Sequence, residues 1–197
     1  MSDLVELAPD AMRAAAARLL EAHGQVDATP DDVVQLLSAC RIERLAEGHI
    51  VCSEGAVGDV LYLLLEGRVT VLKSDVSGQV RTVGEVKAPT LLGQMAMIDR
   101  ARRTATCSAA SPVLIATMDR VAYRALVRST DAAGTALRRL LLSSLTQQLI
   151  GGNARLGKLL QESADKATPK SPREGIGGAL LKASGLLEGW MSNASDP

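Results

Sequence analysis

Between about residues 41 and 118, glycines at positions 48, 55, 58, 67, 78, 84 and 93 punctuate a run of short β-prone segments. The segments are Ile50 to Cys52, Val60 to Leu65, Val69 to Leu72, Val80 to Val86, Thr104 to Cys107 and Val113 to Met118. Evenly spaced short strands with glycine turns predict an antiparallel sandwich or barrel. Asp75-Val76-Ser77-Gly78 reads as a hairpin tip within it. Aromatic residues are limited to Tyr62, Tyr123 and Trp190, so the core must be built from Leu, Val, Ile, Met and Ala.

Helical sequence flanks this region. Residues 9–23 begin at Pro9, contain the Ala14 to Ala17 run and end at Gly24, which predicts a helix. A second helix starts at Thr29, a good N-cap followed by Pro30, Asp31 and Asp32, with Val33, Leu36, Leu37 and Cys40 as its buried stripe. Residues 119–162 return to helix. Leu137, Leu141, Leu145, Leu149, Leu156 and Leu160 form one apolar stripe there, widened by Leu140 and Leu142. The stripe is open to two readings: it packs back on the barrel, or it pairs with a second copy of itself. Gly151-Gly152 should weaken or bend the helix. Ser163 to Gly175 is a polar, proline-bearing linker expected to be disordered. Ile176, Leu180, Ala183, Leu187 and Trp190 then recur at helical spacing in a glycine-rich tail, either a docking segment or a frayed end.

Within the barrel region, residues 93–107 carry the chemistry. Gly93 lets the backbone approach a ligand, a short apolar run offers free N–H groups of a helical turn, and Arg103 returns ten positions later. A planar guanidinium can give two parallel hydrogen bonds to phosphate oxygens. The combination predicts a protein that holds a phosphate ester rather than cleaving it.

Several classes are excluded. The 22 basic and 22 acidic side chains cancel, so no long-range field favours nucleic acid or anionic lipid. Cys40, Cys52 and Cys107 are odd in number and follow no secretion signal, which predicts a reducing cytoplasm. No apolar run is long enough to span a membrane. His23 and His49 are read as surface or edge residues without a metal partner. No nucleophile–base pair, Gly-x-Ser-x-Gly turn or P-loop is present, so the chain is not expected to be an enzyme and needs no cofactor or metal.

Three ordered motifs carry a resemblance. Arg44-Leu45-Ala46-Glu47-Gly48-His49-Ile50-Val51 comes first, then the run from Glu54-Gly55-Ala56-Val57-Gly58-Asp59 through Tyr62 to Gly67-Arg68-Val69-Thr70-Val71, then Gly93 to Ala105. Over about residues 30–160 the chain resembles the cyclic nucleotide-binding domains of cAMP receptor proteins, kinase regulatory subunits and nucleotide-gated channels. The resemblance implies an α+β fold: an antiparallel jelly-roll β-barrel with flanking N- and C-terminal helices. It divides the chain into an N-terminal helix (1–28), the barrel with its flanking helices (29–130), a long helix offering a dimer contact (131–162), and a linker and amphipathic tail (163–197).

The ligand set implied by the resemblance is Gly93, Gln94, Met95, Ala96, Arg103, Thr104 and Ala105. Arg103 would neutralise the cyclic phosphate, and amides near Ala96 and Thr104 would add donors. Gln94 stands where relatives carry a glutamate for the ribose 2′-hydroxyl. Losing that charge-assisted bond lowers affinity by about tenfold. Thr104 is a mild cue for cGMP over cAMP, while Arg100 and Arg102 read as solvated loop arginines that keep a cyclic dinucleotide open. Gly55, Gly58 and Gly67 read as turn residues, and Tyr62 as a core aromatic. The segment after Glu162 is too short and too sparingly basic to read a DNA groove. Two functions remain. One is a cyclic nucleotide sensor that moves its C-terminal helices and forms a homodimer, with the tail open to a protein partner. The other is a degenerate barrel serving as a protein-interaction scaffold.

Overall fold

The computed structural model describes residues 2–24 and 26–167. In chain order the elements are β1 (Ser2–Leu4), α1 (Pro9–Ala22), α2 (Pro30–Ser38), β2 (Arg41–Leu45), β3 (Ile50–Cys52), β4 (Val60–Glu66), β5 (Arg68–Ser74), β6 (Val80–Lys87), β7 (Thr90–Leu92), α3 (Gln94–Asp99), β8 (Thr106–Ala109), β9 (Val113–Asp119), α4 (Arg120–Arg128) and α5 (Ala132–Ala167). The strands form two antiparallel sheets, ordered β1-β2-β9-β4-β7 and β3-β8-β5-β6. This is the α+β jelly-roll architecture with flanking helices that the glycine spacing and the motifs implied.

Side-chain alternation explains why β4 and β9 read as nearly continuous apolar runs. Successive residues of a strand point to opposite faces. Leu61, Leu63, Leu65, Leu114, Ala116 and Met118 join a core shared with the helices. Leu64, Val113 and Ile115 join a second core shared with the other sheet. The first sheet is therefore covered on both faces, with helices on one side and the β3-β8-β5-β6 sheet on the other. Burying each large aliphatic side chain contributes about 1.5–3 kcal/mol.

The helices start where the sequence indicates. The Thr29 hydroxyl accepts from the Asp32 amide at 3.3 Å, and the Asp32 carboxylate accepts from the Thr29 amide at 2.8 Å. This reciprocal cap satisfies two donors that would otherwise lack partners. The hairpin tip also forms, with the Gly78 amide donating to the Asp75 carbonyl at 2.9 Å.

Residues 119–162 are helical, as expected, and contain two helices. Asp119 ends β9 and caps α4, while Asp131 accepts from the Gly134 amide at 2.7 Å and opens α5. Two acidic caps, each matched to a first-turn amide, make two separate helices favourable. Helix α5 then continues through Gly151-Gly152 and on to Ala167, past the expected start of the linker. The tail at 176–190 lies outside the described residues.

The leucine stripe of α5 is buried only in its first turns. Leu137, Leu140 and Leu141 are buried in the helical core, whereas Leu142, Leu149, Leu156 and Leu160 are exposed. The chain forms one compact unit up to Gln148 and a second from Leu149.

His23 departs from expectation, because it is buried rather than at the surface. It follows α1 and lies against α5, where Ser143 donates to the His23 carbonyl at 2.6 Å and Gln147 donates to the Ala22 carbonyl at 3.0 Å. Its Nδ1 donates to the Leu19 carbonyl at 2.9 Å, and Nε2 is buried without a partner. Burial lowers the His23 pKa below the ordinary 6.5, only partly opposed by the Leu19 contact. The fold thus favours the neutral ring, and the Arg139 guanidinium lining the same cavity, paired to Asp27 at 2.8 Å, sits beside it. Because the unfolded chain binds this proton more readily, the contribution is present above pH 6.5 and is lost as pH falls towards the depressed folded value. Denaturation midpoints measured from pH 7.5 down to 5 should decline in the wild type, and His23→Gln should flatten that decline.

Candidate functional site

The local chain path brings the second and third motifs together. The Gly55 amide donates to the Arg103 carbonyl at 2.8 Å, and the Arg103 amide donates to the Ala56 carbonyl at 2.9 Å. Val57 and Arg102 form a further antiparallel bridge, and Arg102 Nη1 donates to the Gly55 carbonyl at 2.7 Å. The glycine turn before β4 therefore clamps the chain on the way into β8. Thr104 and Ala105 follow this clamp before β8 begins at Thr106, so the strand starts later than expected.

Arg103 is only 6% exposed. Nη1 donates to the Gly93 carbonyl at 3.0 Å, and Nη2 donates to the Val60 carbonyl. The guanidinium lies over the Tyr62 ring, 5.2 Å from its centroid, within cation–π range. A guanidinium has five N–H donors, so these two bonds leave three. Among the described residues no carboxylate forms a salt bridge with Arg103. A buried cation without a carboxylate is unusual.

Two glycines make this arrangement sterically possible. Gly93 has φ +77°, and a Cβ built there would sit 1.9 Å from Arg103 Nη1. Gly58 does more than turn the chain: a Cβ there would lie 2.1 Å from the Ala96 Cβ and 2.9 Å from the Ala101 carbonyl. Helix α3 can approach the turn before β4 only because position 58 has no side chain.

A cavity of about 310 Å³ opens beside Arg103. Gly93, Gln94, Met95, Ala96, Arg103, Thr104 and Ala105 all line it, so the structure brings together every residue of the expected ligand set. Their settings differ. Met95 and Thr104 are exposed, and Ala96 is buried. Gln94 is only 2% exposed, and its Nε2 donates to Ser144 Oγ on α5 at 3.1 Å. The side chain expected to meet a ribose hydroxyl is thus already engaged with the long helix. The first-turn amides of α3 have no acceptors within the helix. Arg102 also lines the cavity, whereas Arg100 ends α3 with φ +59°.

Sequence reasoning missed Arg120. Its Nη1 donates to the Met97 carbonyl at 3.2 Å, and its Nη2 donates to the Ala96 carbonyl at 3.2 Å and to the Gly58 carbonyl. A cation suits the carbonyl end of a helix. Nothing in the sequence marked it, because the contact spans 23 residues or more. Tyr62, placed as a core aromatic, does pack against the inter-sheet core, and its ring also supports the Arg103 guanidinium. Cys52 and Cys107 were also not associated with the site, yet both line the cavity.

The family model described as the cyclic nucleotide-binding domain matches residues 42–130. The chain contains a cyclic nucleotide-binding domain. A cyclic nucleotide-gated potassium channel of Rhizobium etli is 30% identical over 107 residues, covering 54% of this chain and 28% of the channel. The cyclic AMP receptor protein of Thermus thermophilus is 27% identical over 118 residues, covering 60% of this chain and 55% of that protein. The chain thus spans about half or less of these two relatives. A crystal structure of a cyclic nucleotide-binding domain from Methylobacillus flagellatus superposes with a TM-score of 0.63 at 28% identity, covering 88% of this chain and 93% of that one. Among the described residues, no helix is long and apolar enough to cross a membrane, and no cluster of metal-binding side chains is present.

The Gly93 geometry gives a direct test of the site. Gly93→Ala meets both the positive φ and the Arg103 guanidinium. It should destabilise the fold by more than about 1 kcal/mol, read as a lower urea midpoint at unchanged slope. An alanine midpoint equal to wild type would show that Arg103 does not need this close approach.

Proposed function

We propose that this chain is a regulatory protein that binds one cyclic mononucleotide, cAMP or cGMP, and passes its occupancy to the C-terminal helices. The observation that carries the reading is Arg103: a buried guanidinium with three donors unused and no carboxylate partner among the described residues, beside a cavity. An anionic phosphate in that cavity would supply the missing charge and accept a paired hydrogen bond. The α3 amides would add donors on the same side. A volume of about 310 Å³ is at the small end for ligand sites and suits one nucleotide better than a cyclic dinucleotide. The ligand is held, not converted. Three free thiols suit a reducing compartment such as the cytoplasm.

Two contacts support coupling. Gln94 bonds Ser144 on α5, and Arg120 on α4 grips the carbonyls of α3. A ligand that draws α3 towards Arg103 changes both contacts, and so shifts the balance between two helix arrangements by its differential affinity for them. The exposed Leu149, Ile150, Leu156, Leu159 and Leu160 of α5 support a homodimer through that helix. One observation favours a second reading: Gln94 is committed to Ser144, which suits a barrel that serves as a scaffold without nucleotide.

Thermal unfolding of protein freed of bound nucleotide separates the two. Saturation with cAMP or cGMP at about 100 Kd should add about 2.7 kcal/mol of stability, and Arg103→Ala should abolish the gain while circular dichroism shows the fold retained. No shift with either nucleotide would favour the scaffold. In sedimentation, Leu149→Asp with Leu156→Asp should halve the wild-type mass, and an unchanged mass would exclude pairing through this face.

A further inference from the structure

The cavity beside Arg103 contains two sulfur atoms that phosphate binding does not use. Cys52 ends β3, Cys107 lies in β8, and the two are Cα partners across the antiparallel pair, beside a bulge at which the register shifts between Ile50 and Cys52. Directly opposed residues in an antiparallel pair have Cα atoms about 4.5 or 5.5 Å apart, depending on the type of pair. A disulfide needs about 4.4–6.8 Å, so the spacing of paired strands falls within the range the bond requires. Both residues line the cavity, which gives a small oxidant a route to them. Cys107 is otherwise buried in the inter-sheet core, and Cys52 is half-buried.

We propose that Cys52 and Cys107 form a reversible disulfide in the floor of this cavity when the protein meets a hydroperoxide, and that an anion bound at Arg103 opposes its formation. The second half of this proposal rests on the nucleotide-binding reading, and the first half does not. Cys52 supplies the attacking sulfur. Its thiolate displaces at the peroxide O–O bond and forms an S–O bond. The O–O electron pair leaves with the departing oxygen, which takes up a proton as water or an alcohol. Cys107 then attacks the Cys52 sulfur, the S–O bond breaks, and the hydroxyl leaves as water with the Cys107 proton. The two thiols lose two electrons in total, and the peroxide gains them.

The electrostatics assign the roles. A hydrogen bond from Cys107 holds the Cys52 thiol below the ordinary range, and the Arg103 charge adds to this against the effect of burial. The same hydrogen bond and burial push Cys107 up, so it keeps its proton until it acts as the resolving thiol. The thiolate is the reactive form. Cys40 is a built-in contrast: burial pushes its thiol up to about 12, and its Sγ donates to the Leu36 carbonyl at 3.5 Å. A phosphate at Arg103 would compete with the Cys52 thiolate for one positive charge. By linkage, nucleotide and thiolate weaken each other reciprocally.

The test treats nucleotide-free protein with hydrogen peroxide, unfolds it, alkylates it and reads the intact mass. Three alkylated cysteines should become one, and peptide mapping should join Cys52 to Cys107. Dithiothreitol should restore all three. Cys107→Ser should instead leave a sulfenic acid on Cys52 that dimedone traps, and Cys40→Ser should change nothing. Three persisting thiols in wild-type protein, or a bridge that includes Cys40, would overturn the proposal without reliance on any variant. Saturating cAMP or cGMP should slow the loss of thiols several-fold. If calorimetry shows nucleotide bound and the rate is unchanged, the opposition between anion and disulfide is refuted. If neither nucleotide binds and the disulfide still forms, the nucleotide reading fails and the oxidation site stands.

Discussion

Burying a guanidinium is costly unless its donors find acceptors. Arg103 meets that condition with main-chain carbonyls and an aromatic face in place of a carboxylate. The Gly93 and Val60 carbonyls hold the fork, and Tyr62 lies beneath it. Val60 and Tyr62 belong to β4 and Gly93 follows β7, all in the first sheet, whereas Arg103 leads into β8 of the second, so the site exists only when the two sheets are assembled. Carbonyl dipoles position the cation, and among the described residues no carboxylate pairs with its charge. That residual charge makes the neighbouring cavity attractive to an anion, and it also favours the thiolate of Cys52.

Close backbone approach is the second requirement. The short helix α3 fits between the β4 turn and Arg103 because Gly58 and Gly93 present no side chains on the facing surfaces. Once seated, α3 is held from three sides. Arg120 on α4 binds its carbonyls, Gln94 reaches α5, and the clamp at Gly55 and Ala56 fixes the chain leaving towards β8. A helix of six residues would be marginal by itself. Its conformation depends on these contacts, so a ligand that changes one of them changes the others.

On the proposed reading, the helical layer would carry a change at α3 beyond the site. Helices α1, α2, α4 and the first turns of α5 share one core with β4 and β9. The side chains of α5 also satisfy the last carbonyls of α1 through Ser143 and Gln147. Movement of α5 therefore cannot be confined to one contact. The neutral His23 ring at that junction makes the same layer sensitive to proton concentration.

Much of the architecture was legible in the sequence because its causes are local. Short β-prone segments, glycine turns, the Thr29 N-cap and the Asp75 hairpin each act over a few residues, and each appears close to where the pattern placed it. That the residues of the expected ligand set would share one cavity was legible too, because they lie in one contiguous segment. Other features depended on contacts distant in sequence. The division of the α5 leucines between core and solvent depends on where the helix meets the sheet, and the stripe itself is continuous. The burial of His23, the grip of Arg120, the Gln94–Ser144 bond and the pairing of Cys52 with Cys107 join residues 4 to 120 positions apart, most of them brought together only by strand register or helix packing. Sequence determined which segments form strands and helices because local energies decide that. Tertiary structure alone decided which side chains share a cavity with Arg103, since desolvation and charge act through space.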